Sequence, residues 1–171
     1  MIKERKSQWF EAKVRYEVYI EHLGKAKKVS HVFVIDAMTF AEAEARVTEH
    51  VMSKFTGKDI FYVQDTFEIV SINKASYEHL LSSDTEKDSR LSIAEIIYSP
   101  KTCFFKCKIS FLYLNESTGE EKKHTVIYLV KASCLDAALK IITEYFAGDM
   151  RDYERSAITE TNILESIETT K

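Results

Sequence analysis

The chain has 171 residues, 45% hydrophobic and 30% charged, with a formal net charge of −3. That balance is ordinary for a soluble globular protein and argues against one whose whole surface is a basic footprint for nucleic acid, though not against a local basic patch. One Pro and four Gly leave little material for long flexible tracts or a phosphate-cradling loop.

Residues 1–8 are charged with no apolar region behind them, so a signal peptide is not expected, and no apolar run is long enough to span a membrane. Three cysteines without framework spacing point to a reducing, cytoplasmic setting.

Phe10, Ala12, Val14, Tyr16, Val18 and Ile20 alternate with Glu11, Lys13, Arg15 and Glu17, the pattern of a half-buried strand. A polar segment centred on Gly24 reads as a hairpin turn, and a second strand follows over residues 29–37. The period then changes: Phe40, Ala43, Val47, Val51 and Phe55 fall on one face of a helix with Thr39 as N-cap, Glu42 three residues on, and Gly57 at its end. A third strand is expected over residues 60–76.

The same order returns in the second half. Residues 103–115 and 122–132 read as strands around a turn at 116–121, residues 134–146 as a helix capped by Ser133, and residues 155–163 as a last strand before a fraying tail. Ser82 to Arg90 lacks periodicity and reads as a linker, while residues 91–98 regain apolar character as a strand or a short helix.

The repetition is quantitative. Shifted by 95 positions, residues 9–51 overlie residues 104–146 with 10 identities in 43 positions, where unrelated segments give roughly two or three. The expected fold is therefore α+β, a tandem duplication of a strand-strand-helix-strand unit with mostly antiparallel sheets and pseudo-two-fold packing. Its boundaries are 1–81 for the first repeat, 82–100 for the insert and 101–171 for the second.

The strings Trp9-Phe10-Glu11-Ala12-Lys13-Val14-Arg15-Tyr16, Asp36-Ala37 and Phe40-Ala41-Glu42-Ala43-Glu44-Ala45-Arg46 resemble the domain of unknown function 4494. Phe105-Lys106-Cys107-Lys108, Leu129-Val130-Lys131-Ala132-Ser133 and Ser156-Ala157-Ile158-Thr159-Glu160-Thr161 extend the likeness over nearly the whole chain. The insert around Ser82 to Pro100 and Cys134 depart from it. The resemblance implies a small cytoplasmic protein of Bacteroidetes or their phages and mobile elements, in the host cytoplasm if phage-encoded, with no established activity or catalytic residues.

No residue pattern nominates a catalytic site, a cofactor or a metal. Cys103 and Cys107 share a strand face, which suits neither a zinc knuckle nor a redox pair. The five histidines lack ligand spacing and read as surface or satisfied core residues. Three readings follow. The first is a non-catalytic binding or assembly module acting through a sheet face or edge on a protein partner or its own copy. The second is a nucleic-acid binder using two lysine hairpins, Lys25, Lys27 and Lys28 beside Gly24 and Lys122 and Lys123 beside Gly119, with Lys13 and Lys108 on the outer strand faces. Trp9, Tyr19 and Phe104 are taken there as exposed stacking surfaces. The third is an enzyme of unassigned class.

Overall fold

A computed structural model describes residues 2–20, 23–55, 67–83 and 102–169. Chain order runs β1 (Ile2–Arg5), β2 (Trp9–Ile20), β3 (Lys25–Asp36), α1 (Phe40–Phe55), β4 (Glu68–Ala75), β5 (Tyr77–Ser83), β6 (Cys103–Leu114), β7 (Glu121–Ala132), α2 (Leu135–Tyr145), β8 (Tyr153–Glu160) and β9 (Ile163–Ile167). The fold is α+β, with one helix beside each of two mostly antiparallel sheets among the described residues. The expected stop at Gly57, residues 60–66 of the third strand and the segment 91–98 lie outside the described residues.

The two compact units interleave along the chain instead of following residues 1–81 and 101–171. One holds the sheet β1-β5-β7-β6-β8 with α2; the other holds β4-β2-β3-β9 with α1. Each half of the chain thus contributes its last strand to the other half's sheet. β5 lies parallel to β7, and β9 lies parallel to β3. The segment read as one terminal strand over 155–163 divides at Thr161-Asn162 into β8 and β9, and β9 ends at Ile167, one residue past the point where the tail is expected to fray.

The hairpins form where alternation placed them, and in one register. Phe10 faces Ile35 across β2 and β3, and Phe105 faces Val130 across β6 and β7, each partner displaced by 95. The outer pairings share a one-residue irregularity at equivalent points, between Lys13 and Val14 on β2 and between Lys108 and Ile109 on β6.

Each helix covers one face of its sheet. Ala43, Val47 and Val51 of α1 pack with Phe10, Ala12, Val14, Phe33 and Ile35. Ala138, Ile141, Ile142 and Phe146, at the end of α2, pack with Phe105, Cys107, Ile109, Tyr128 and Val130. Phe40 and Leu135, placed on the apolar stripes by periodicity, sit at the helix starts and are more than 40% exposed, although the Phe40 ring still meets Phe10 of β2 edge-on at 4.9 Å.

Thr39 caps α1 as its sequence demands: its Oγ1 accepts from the Glu42 amide at 3.1 Å, and Glu42 reaches back to the Met38 amide at 2.8 Å. α2 begins one residue later than expected. Cys134, not Ser133, occupies its N-cap, and no side chain there accepts from the first turn.

Helices of 16 and 11 residues span roughly 24 Å and 16 Å, whereas a twelve-residue strand spans roughly 40 Å. The turn ends of both hairpins therefore run past their helices, and Lys25 to Lys28 and Glu121 to Thr125 are exposed on both faces.

Candidate binding surfaces and strand-docking junctions

The lysines named from the sequence occupy these uncovered arms and the strand faces turned from the helices. Lys27 lies across from Val18 and Lys28 across from Glu17, whose carboxylate is 3.9 Å from the Lys28 amine. On the other arm Lys122 faces Tyr113, and Lys123 reaches Glu154 of β8 at 3.1 Å. Strand alternation divides each set. Lys28 shares the face of Lys13, and Lys123 the face of Lys108, while Lys25, Lys27 and Lys122 point to the helix side.

Two of the aromatics read as stacking surfaces are not available. Trp9 and Phe104 are each 1% exposed, because the sheet face turned from the helix is also apolar at one end, alongside Val34 in one unit and Leu80 and Leu129 in the other. Alternation alone assigned that face to solvent. The Tyr19 side chain lies outside the described residues.

A feature that sequence reasoning missed lies where the contributed strands dock. Val32 pairs Ile163 and Phe33 pairs Glu165, skipping Leu164; Ile127 pairs Tyr77 and Tyr128 pairs His79, skipping Glu78. Both slots thus accept a parallel strand with the same bulge. The docked sequences, Ile163-Leu164-Glu165-Ser166-Ile167 and Tyr77-Glu78-His79-Leu80-Leu81, share only apolar ends.

At the β3 slot, Nε2 of His50 on α1 meets Oε2 of Glu165 at 2.8 Å, and the His50 ring stands edge-on to Phe33. Beside it the Tyr16 hydroxyl meets Nδ1 of His31 at 2.5 Å. Burial, and then the nearby Glu165 charge, push the Tyr16 hydroxyl well above the usual phenol range; burial lowers His31. Arg46 donates to the Asp36 carbonyl, to Thr169 at 2.7 Å and to Glu42 at 2.5 Å, and the Thr169 hydroxyl donates to the Asp36 carboxylate at 3.1 Å.

At the β7 slot, Tyr145 and Tyr128 occupy the places of His50 and Phe33, and His79 the place of Glu165. His79 stacks on Tyr128 with ring centroids 5.7 Å apart, and its Nδ1 lies 2.7 Å from the Glu4 carboxylate of β1 without hydrogen-bond geometry. Burial and a hydrogen bond to Glu4 raise Tyr145. Each slot therefore holds one His–carboxylate pair, assembled from different positions.

These pairs are not organised as a metal centre. Among the described residues no three His, Cys, Asp or Glu side chains converge on one point, and no helix is long and apolar enough to cross a membrane. A shallow depression runs along α1, lined by Ala41, Glu44, Ala45, Thr48, Glu49, Met52 and Ser53, and neither His50 nor Glu165 lines it. Cys107 is fully buried, and burial pushes its thiol up to about 11.

The family described as Domain of unknown function (DUF4494) matches residues 8–169. No curated protein matches the chain.

Proposed function

The chain belongs to the DUF4494 family, whose description assigns no chemistry, and from that premise we propose that it is a non-catalytic binding or assembly module engaging a protein partner or its own copy along a sheet edge. The observation that carries this reading is β8. It is the edge strand of the five-stranded sheet, eight residues long, and every residue except Ile158 is exposed. A strand so placed has one paired side, against β6, and one side of backbone donors and acceptors turned outward. β4 is a second eight-residue edge, on the other sheet. Free thiols at Cys103, Cys107 and Cys134 accord with a reducing cytoplasm.

Light scattering over a wide concentration range, with hydrogen exchange read at its two ends, tests the self-association half. The expected result is a rise in mass with slowed exchange in Tyr153–Glu160. A strict monomer with unchanged exchange removes that half.

Nucleic-acid binding is the second reading, favoured by the exposure of Lys25, Lys27 and Lys28 on an uncovered arm. The Glu17 and Glu154 pairings weaken it, as surface carboxylates compete with phosphate. It requires salt-sensitive binding of labelled DNA or RNA that is lost when Lys27, Lys28, Lys122 and Lys123 become Glu. No binding at low salt removes it.

A further inference from the structure

The β3 edge receives a strand that is remote in sequence. β9 pairs through four backbone partners and buries two side chains, Ile163 and Ile167. Leu164 packs against the same core, and side-chain clasps add to these contacts: Glu165 to His50, and Thr169 to Arg46 and Asp36. The equivalent β7 edge holds β5 in the same parallel register and with the same bulge, although β5 carries different side chains. What the two slots have in common is a backbone ladder and apolar contacts at the strand's ends. Such a slot is satisfied by any chain presenting those features, and a second copy presents them by identity.

The connection to β9 has the form of a pivot. Thr161 is tied to Phe104, its amide donating to the Phe104 carbonyl at 2.9 Å and its hydroxyl at 2.8 Å. Exposed Asn162 then leads directly into Ile163. A change of backbone direction at Asn162 redirects β9 without disturbing β8. The contacts β9 makes with β3 and α1 are the same whether the strand comes from the same chain or from another, so the exchange costs little beyond association entropy.

We propose that the β3 edge, with His50 and Arg46 of α1, is a strand-exchange site whose partner is the Ile163–Ile167 strand of a second copy. This rests on the assembly reading above and names its surface and its occupant.

The test uses the full chain in a Cys134→Ser background, which removes the exposed native thiol. One tagged copy carries His50→Cys and a second, of different length, carries Glu165→Cys. The two are concentrated together, incubated and joined with a short bis-maleimide, which spans the room left by the two long side chains that cysteine replaces. Exchange yields a covalent species containing one copy of each; failure of that mixed species to form, at concentrations where single copies are recovered intact, overturns the proposal. A third chain carrying both substitutions is cross-linked with the same reagent while dilute, closing β9 onto its own α1, and then concentrated. Exchange predicts that this locked chain stays monomeric where the unlocked chain gains mass. Equal mass gain by the locked chain overturns strand exchange and leaves assembly through β8 or β4 standing, whereas no mass gain by either chain overturns self-assembly itself.

Discussion

His31 sits on the helix-side face of β3, and burial lowers its pKa below the ordinary imidazole value of 6.5. Its Nδ1 shares a hydrogen bond with Tyr16, which is 1% exposed. The unfolded chain protonates His31 near the ordinary value, while the folded chain resists until a lower pH. Stability from this group is therefore complete above about 6.5 and is lost as pH falls through the folded pKa. In that window the unfolded state carries up to one extra proton, and the slope approaches about 1.4 kcal/mol per pH unit. The perturbation is His31→Asn, which removes the titration but keeps a polar atom for the Tyr16 hydroxyl. Urea unfolding followed by the emission of Trp9, the chain's only tryptophan and a buried one, gives the free energy at each pH. Groups common to parent and variant cancel in the difference. The expected result is a parent curve that falls more steeply than the variant's between pH 6.5 and 5. Parallel curves refute the claim that burial holds His31 neutral.

Ile35, fully buried between β2 and β9, loses three carbons on replacement by Ala, and Ile35→Ala should destabilise by about 2–4 kcal/mol in the same urea assay. Gly119 holds φ +70 in the turn where its amide bonds the Asn115 carbonyl at 2.7 Å, and Gly119→Ala should cost about 1 kcal/mol from backbone strain alone, since open space surrounds the position. Thiol titration of the native chain at pH 8 should find exposed Cys134 reacting first and Cys107, with its thiol near 11, only after unfolding.

The hairpins and helices were legible because their signals are local. Alternation from Phe10 to Tyr16 fixes which side chains enter the core, Thr39 and Glu42 set where α1 starts, and the shift of 95 carries the register from one hairpin to the other. The docking of β5 and β9 was not legible. Their parallel partners are remote in the chain, and neither strand alternates cleanly. Aligning 67–83 with 153–169 requires a shift of 86, nine less than 95, and gives only Glu68/Glu154 and Ile72/Ile158 as identities in 17 positions. The two strands share a parallel register and a bulge but little sequence, and they differ in setting: β5 lies between β7 and β1, whereas β9 is an edge. The His–carboxylate pairs were hidden for the same reason: each brings a histidine and a carboxylate together across a strand that sequence order does not place beside its helix or its neighbour.

That both slots hold such a pair, though His50–Glu165 and His79–Glu4 come from different positions, suggests a role in register more than in stability. A partly exposed ion pair is worth about 1 kcal/mol or less, and a buried polar contact is easily matched by apolar packing. A one-residue slip would turn Glu165 away from His50 and bring Leu164 or Ser166 to the helix, so the pair adds its own penalty to the one that buried Ile163 and Ile167 impose. The hypothesis is tested by replacing both partners at once, His50→Leu with Glu165→Leu. Thermal stability should hold or rise, while amide exchange across Ile163–Ile167 quickens as alternative registers become populated. If the doubly substituted chain protects those amides as well as the parent does, the pair is ordinary surface electrostatics, and the two apolar ends of β9 set the register without it.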